Sequence, residues 1–120
     1  MQTEFDFTLP LGYVDEGGTV HKHGVMRLAT AIDEIAPLRD PRVRTNEAYL
    51  TIILLSRVIV KLGTVSRITT DVIENLFAPD LAYLQTIYRR IHEEGTTIIT
   101  VKAPSGEQFE LDLADLGEAS

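Results

Sequence analysis

The run from residue 46 to residue 62, NEAYLTIILLSRVIVKL, constrains this chain more than any other segment, because read as one helix it is apolar around almost its whole circumference. A helix of that kind must be wrapped, by other elements of its own domain or by another polypeptide. Few segments remain to do so in 120 residues, and a chain of that length supports one core rather than two. The expectation is a single domain over residues 1–120, a compact interaction module in preference to an enzyme.

Upstream, Phe5, Phe7 and Leu9 alternate with Glu4, Asp6 and Thr8 at the period of a half-buried strand, and Pro10 ends that strand or marks a sheet edge. Asp15, Glu16, Gly17 and Gly18 lie between two apolar arms, which predicts a hairpin with strands near 4–9, 12–15 and 19–28. Gly24 fits either a bulge or a loop. Thr30, with Asp33 three positions on, predicts a capped short helix that turns Ile32 and Ile35 inward and stops at Pro37. The connector LRDPRVRT reads as a loop, Thr45 as the cap of the long helix, Lys61 as a last-turn cation and Gly63 as its terminating residue.

Ile68, Val72, Ile73 and Leu76 mark a shorter helix, and Pro79 and Asp80 open another in which Leu81, Leu84, Ile87, Tyr88 and Ile91 form one stripe before Gly95. Ile99 and Val101, a Pro-Ser-Gly turn, then Phe109, Leu111 and Leu113 predict a second hairpin. The expected fold class is α+β. An N-terminal β-hairpin or small sheet (1–29) precedes a central helical body around the long apolar helix (30–95), and a C-terminal β-hairpin and tail (96–120) joins or flanks the first sheet.

Charge and composition exclude several classes. The net charge of −7 disfavours generic nucleic-acid binding, which draws on basic surface. That charge is uneven: residues 38–67 carry +4 and residues 93–120 carry −6. A basic middle between acidic ends is compatible with head-to-tail self-contact or with a charged protein partner, and a solvated mixed-charge surface is the plainer account. The longest apolar run, TIILLS, falls well short of the roughly 18 to 20 residues that span a bilayer. The first ten residues have no basic residue ahead of an apolar core, unlike a secretory signal, so a cytoplasmic location is expected. With no cysteine there are no disulfides, thiolate nucleophiles or cysteine-based zinc sites.

The candidate chemical groups are sparse. His21 and His23 would share one face of a strand, yet no third and fourth metal ligand accompanies them, and an exposed pair is the better reading. Asp33 with Glu34, and Glu93 with Glu94, are helix neighbours that point apart; Ser56, Ser66 and Ser105 lack a nucleophile-elbow context. No catalytic, cofactor-binding or metal-binding residue is assigned. Arg39, Arg42 and Arg44 form the densest basic cluster, able to grip a carboxylate-rich partner unless Asp40 and nearby helix carboxyl ends already occupy them. Tyr83 and Tyr88, on the last helix, suit either an interface or core-edge packing.

Ten short strings carry a further signal: FTLP from Phe7, GYVD from Gly12, GVMRLAT from Gly24, DEI from Asp33, RDPRV from Arg39, AYL from Ala48, ILLSRVI from Ile53, LG from Leu62, VIENLF from Val72 and DLAYLQ from Asp80. In this order they resemble the small tail assembly proteins of contractile-tailed phages and of phage-tail-like contractile injection systems, over residues 5 to 92. The resemblance implies a non-enzymatic assembly factor or chaperone for the tail or baseplate, with other phage-tail-like structural proteins as partners and a homo-oligomer as a further option. A permanent baseplate subunit retained in the assembled particle, and an adaptor for cargo or effectors, are the alternatives; neither nucleic acid nor membrane is expected as a partner. Some such proteins end in a cysteine-containing, zinc-ribbon-like segment, where this chain has Ala103 and Ser105. The second hairpin must then be held by Ile99, Val101, Phe109 and Leu111 packing on the body. In the expected mechanism an apolar groove between the long helix and the last helix shelters an amphipathic client segment, and the arginine cluster orients it.

Overall fold

Strands β1 (Glu4–Val14) and β2 (Val20–Arg27) form the N-terminal hairpin in a computed structural model that describes residues 1–118; Ala119 and Ser120, the end of the expected tail, lie outside the described residues. The pairing is antiparallel from Glu4 opposite Arg27 to Thr8 opposite His23, and resumes with Tyr13 opposite His21. Pro10 therefore does not end the strand. It sits in an irregular stretch, Leu9 to Gly12, that stands against Lys22 alone. At the turn, Asp15 Oδ1 accepts the N–H groups of Gly17 and Thr19, both at 2.9 Å, which closes the loop through a side chain.

Helix α1 (Ala31–Ile35) runs into a 3-10 turn at Ala36–Arg39, so Pro37 does not stop the chain's helical path but is buried at the second position of that turn. The connector expected as a loop contains helix α2 (Pro41–Thr45), for which Asp40 Oδ1 accepts the Arg42 N–H at 2.8 Å. Thr45 is not the cap of the next helix; its hydroxyl donates back to the Pro41 carbonyl at 2.9 Å, and Asn46 Oδ1 accepts the Ala48 N–H.

The long apolar helix is the largest correction. Helix α3 covers only Tyr49–Val58, and Ile59–Leu62 is strand β3, paired antiparallel with β2. Val58, Ile59 and Val60 are consecutive β-branched residues, stiff at χ1 and better suited to a pleated edge than to a helix interior. The order β1-β2-β3 leaves β2 an open edge for them. Leu62 and Lys61 pair with Gly24 and Val25, Ile59 pairs with Met26, and Val60 is the extra residue of the resulting bulge. Lys61 is thus a strand residue, and Gly63, at φ +53°, follows a strand.

Helix α4 (Thr70–Glu74) and helix α5 (Ala78–Glu93) complete the body. Phe5, Phe7, Leu9 and Met26 from the sheet meet Leu55 and Val58 of α3, Ile73 of α4 and Leu84, Ile87 and Ile91 of α5 in one continuous core. Each fully buried side chain of this size contributes about 1.5–3 kcal/mol through removal from water. No helix among the described residues is long and apolar enough to cross a membrane.

The C-terminal hairpin, β4 (Ile98–Lys102) with β5 (Gln108–Asp112), forms its own two-stranded sheet and does not join the first. The Leu113 N–H donates to the Thr97 carbonyl at 2.9 Å, and the Arg90 guanidinium to the Ile98 carbonyl at 3.2 Å, so the hairpin is tied down at its base. A 3-10 turn at Leu113–Glu118 then returns along β1. The architecture is α+β, with a hairpin at each end of the chain.

Candidate partner-binding surface

Most of the buried polar groups are consumed by the fold. Asp80, 0% exposed at the start of α5, accepts the Leu11 N–H on Oδ1 at 2.8 Å and the Gly12 N–H on Oδ2 at 3.0 Å, supplying acceptors that the irregular stretch of β1 lacks. The Tyr83 hydroxyl accepts the Thr8 N–H at 3.2 Å and donates to the Leu113 carbonyl at 2.7 Å. Burial pushes its phenol up to about 12. Tyr83, for which the sequence allows an interface or core-edge packing, is enclosed and latches the C-terminal segment to β1. We expect Tyr83→Phe to cost about 1–3 kcal/mol by leaving a donor and an acceptor unmatched, and to speed hydrogen exchange in the hairpin at residues 98–112. Unchanged exchange there would show that the latch carries no load.

His21 and His23 do not converge. His21 is buried, with Nδ1 accepting the Thr64 N–H at 3.2 Å, so Nε2 carries the proton it donates to Asp15 Oδ2 at 2.8 Å. That bond, ahead of those from the Thr19 and Gly17 amides, holds the Asp15 carboxyl below the usual range. Both ring nitrogens are taken, which leaves neither for a metal nor for a nucleophile's proton. His23 is exposed and lies near Thr8 Oγ1 at 3.3 Å. His92 Nε2 accepts the Ala29 N–H and Nδ1 donates to the Tyr88 carbonyl. Among the described residues no group of three or more His, Cys, Asp or Glu is placed to hold a metal ion.

Helix α1 presents the face opposite to the expected one. Asp33 is 2% exposed, whereas Ile32 and Ile35 are 53% and 48% exposed and Leu38 is 54%. The cause is an ion-paired cluster: Arg27 donates to both carboxylate oxygens of Asp33 at 2.7 and 3.0 Å, and Arg57 Nε donates to Oδ1 at 3.1 Å. Anchoring Asp33 against β2 and α3 turns Ile32, Ile35 and Leu38 outward, three residues apart and therefore on one side of the helical path.

The three arginines have different fates. Arg42 is engaged within the chain: it forks onto Asp40 at 3.0 and 2.9 Å, lies 5.0 Å over the Tyr49 ring and reaches Thr70 Oγ1. Its pairing holds the Asp40 carboxyl below the usual range and raises its own guanidinium. Arg39 and Arg44 are exposed and form no ion pair with the described residues. Arg44 lines a hollow of about 410 Å³ with Leu38, Val43, Glu47 and Leu50, contiguous with the apolar stripe through Leu38. Tyr88 is half-buried on the flank of the same region, donating to Glu34 Oε1 at 2.6 Å and lying 4.1 Å from the His92 ring; burial, then that bond, raises its phenol. The groove expected between the long helix and the last one is a cleft of about 190 Å³ lined by Thr51, Leu54, Leu55, Gln85 and Tyr88. That is smaller than the roughly 300–1,000 Å³ of typical small-molecule pockets.

A second unpartnered face lies on the C-terminal hairpin. Ile99 pairs with Leu111 and Val101 with Phe109, so these four side chains share one face. Ile99 touches the core, but Phe109 and Leu111 are 48% and 40% exposed, contrary to the expectation that all four pack on the body. The opposite face carries Glu110 and Asp112. Neither exposed face follows from the one-dimensional pattern, since alternation in a strand looks the same whether its apolar side is covered or bare.

The chain matches no known family model, no curated protein and no solved structure.

Proposed function

We propose that this protein is a non-enzymatic assembly factor or chaperone that binds another component of the tail or baseplate of a contractile phage-tail-like particle, acting in the cytoplasm where such particles are built. The collinear strings from Phe7 to Gln85 supply the particle class. The observation that carries the binding role is the exposed stripe Ile32, Ile35 and Leu38, continuous with the hollow at Leu50 and bordered by Arg39 and Arg44. Contiguous apolar surface rimmed by Arg39 and Arg44, with Glu47 beside Arg44, suits the apolar side of an amphipathic segment. The narrow cleft at Leu54 and Tyr88 admits a side chain of such a segment, while the body of the segment lies along α1 and the 3-10 turn.

The test is affinity purification of the tagged full chain from cells producing the particle. Tube, sheath or baseplate components should be recovered with the wild type and lost with Leu38→Asp, an exposed position where the charge leaves the core untouched. A folded wild type that recovers no tail component overturns the reading.

A further inference from the structure

We infer that His21 is a proton-operated clasp: neutral, it ties the segment that follows β3 to the β1–β2 turn, and on gaining a proton it lets that segment go. The clasp shares no residue with the Ile32, Ile35 and Leu38 stripe, so it is independent of what that stripe binds. The His21 ring, 5% exposed, is caught between two pieces of chain. On one side Nε2 donates to Asp15 Oδ2 at 2.8 Å; on the other Nδ1 accepts the Thr64 N–H at 3.2 Å. The ring lies so close to Gly63, at φ +53°, that a Cβ there would overlap it. The stretch 64–69, which leads into α4, is held besides by the Val65 N–H on the Leu62 carbonyl at 3.0 Å and by Val65 and Ile68 at the edge of the core. The same two pieces of chain, Asp15 with Glu16 and Thr64 with Ser66, line a polar cleft of about 440 Å³, so the clasp sets how its two sides stand.

The two bonds respond differently to a proton. Nε2 carries a hydrogen in the neutral ring and in the imidazolium alike, so the bond to Asp15 survives protonation and becomes charge-assisted on both sides. Nδ1 is an acceptor only while the ring is neutral. A proton there would set N–H against N–H at Thr64, so the Thr64 bond and the imidazolium exclude one another. The charged groups around the ring are Asp15 and Glu16 in the turn, Lys22 and His23 beside it on β2, Arg67 on the segment to be released and Asp71 of α4, which shares a neighbouring hollow with both acids. Tyr13, stacked on His21 with ring centroids 6.1 Å apart, is the titratable group facing it from β1. Thr64 is exposed, so its N–H is hydrated once the ring lets go. Because the open form alone takes the proton at Nδ1, the closed loop is fully populated at high pH and gives way as the pH falls through the range in which histidine changes charge.

Nitrogen-15 NMR of the full chain from about pH 8 to about pH 5 tests this, within the range of histidine and above the range of ordinary carboxylates near about pH 4. At the alkaline end the His21 ring should show the Nε2–H tautomer. Amide-exchange protection at Thr64, referred to the unstructured rate at each pH, should then fall by up to about tenfold per pH unit as the ring charges, while the α5 amides keep theirs. His21→Asn puts an acceptor near the place of Nδ1 that gains no proton, so Thr64 protection in that variant should not vary with pH; His23→Gln should retain the wild-type fall. An Nδ1–H tautomer at the alkaline end overturns the inference, as does a ring that charges while Thr64 protection stays constant, or one that is still neutral at the acid end. A fall that persists in His21→Asn or vanishes in His23→Gln assigns the switch to another group and overturns it equally. Should His21→Asn fail to fold, the wild-type tautomer and the coupling of its ring to Thr64 decide the matter.

Discussion

Alanine in place of Gly24 is expected to destabilise the domain by about 3 kcal/mol or more, at the upper end of what overpacking a core costs, and valine there to abolish the native state. Gly24 sits in the middle of β2, opposite Phe7 in β1 and Leu62 in β3, and a methyl group would overlap the Phe7 ring and the Lys61 carbonyl oxygen. Phe7 is 1% exposed and has no room to retreat. Because one of the two obstacles is backbone, trimming the ring in a Phe7→Leu, Gly24→Ala double variant should recover only part of the loss. Domains of this kind are stable by about 5–15 kcal/mol, so the alanine variant should shift the urea midpoint far outside error. A midpoint within about 0.5 kcal/mol of wild type would mean that β2 does not lie between Phe7 and Lys61 as described.

Gly24 also illustrates what a sequence withholds. Its choice between bulge and loop was open because the reason for a glycine there is a ring arriving from another strand and a carbonyl from a third. Periodicity was legible where each element is decided by its own residues: the Phe5, Phe7 and Leu9 alternation, the turn at Asp15 to Gly18, and the α5 stripe all correspond to real faces. The run at 46–62 failed for a different reason, since a short apolar stretch satisfies helix and strand alike, and the free edge of β2 decided in favour of a strand from Ile59 onward.

The candidate surface was half legible for the same physical reason. Arg44 lines the hollow beside the apolar stripe, but the stripe itself reads as core in the sequence, because α1 is oriented by Arg27, six residues before Asp33, and by Arg57, 24 residues after it. The buried side of α5 shares Leu84, Ile87 and Ile91 with the apolar stripe but takes in Asp80 and Tyr83, while Leu81 and Tyr88 are only half-buried, since Asp80 and Tyr83 serve donors of β1. Polar residues buried to satisfy a distant backbone leave no mark on an apolar periodicity. A carboxylate at the head of α5 and a Pro-Leu-Gly stretch inside β1 were the available signals, and only the fold connects them.

The cluster at Asp33 sets the acid limit of the fold. Asp33→Ala should cost about 3 kcal/mol, combining about 1 kcal/mol for the lost acceptor of the Thr30 N–H at the start of α1 with about 1.5–3 kcal/mol for the charge-assisted bonds to the arginines. The side chains of Arg27 and Arg57 are 32% and 37% exposed, so the charges left behind are hydrated and the penalty stays below that of stranding a wholly buried ion. The Arg27 guanidinium, reinforced by the Thr30 amide and Arg57, holds the Asp33 carboxyl well below the usual carboxylate range despite its burial. The unfolded chain therefore binds a proton at this position more readily than the native one. The resulting stability is complete above about pH 4, the ordinary carboxylate value, and drains away as the pH falls toward the depressed native value. Urea midpoints should thus decline steeply as the pH falls from about 4 to about 2 in the wild type, and more gently in Asp33→Asn, which keeps the shape and abolishes the titration. Parallel declines in the two proteins would mean that the arginine pairing contributes nothing to folding, and with it would go the reason for α1 to turn Ile32 and Ile35 toward solvent.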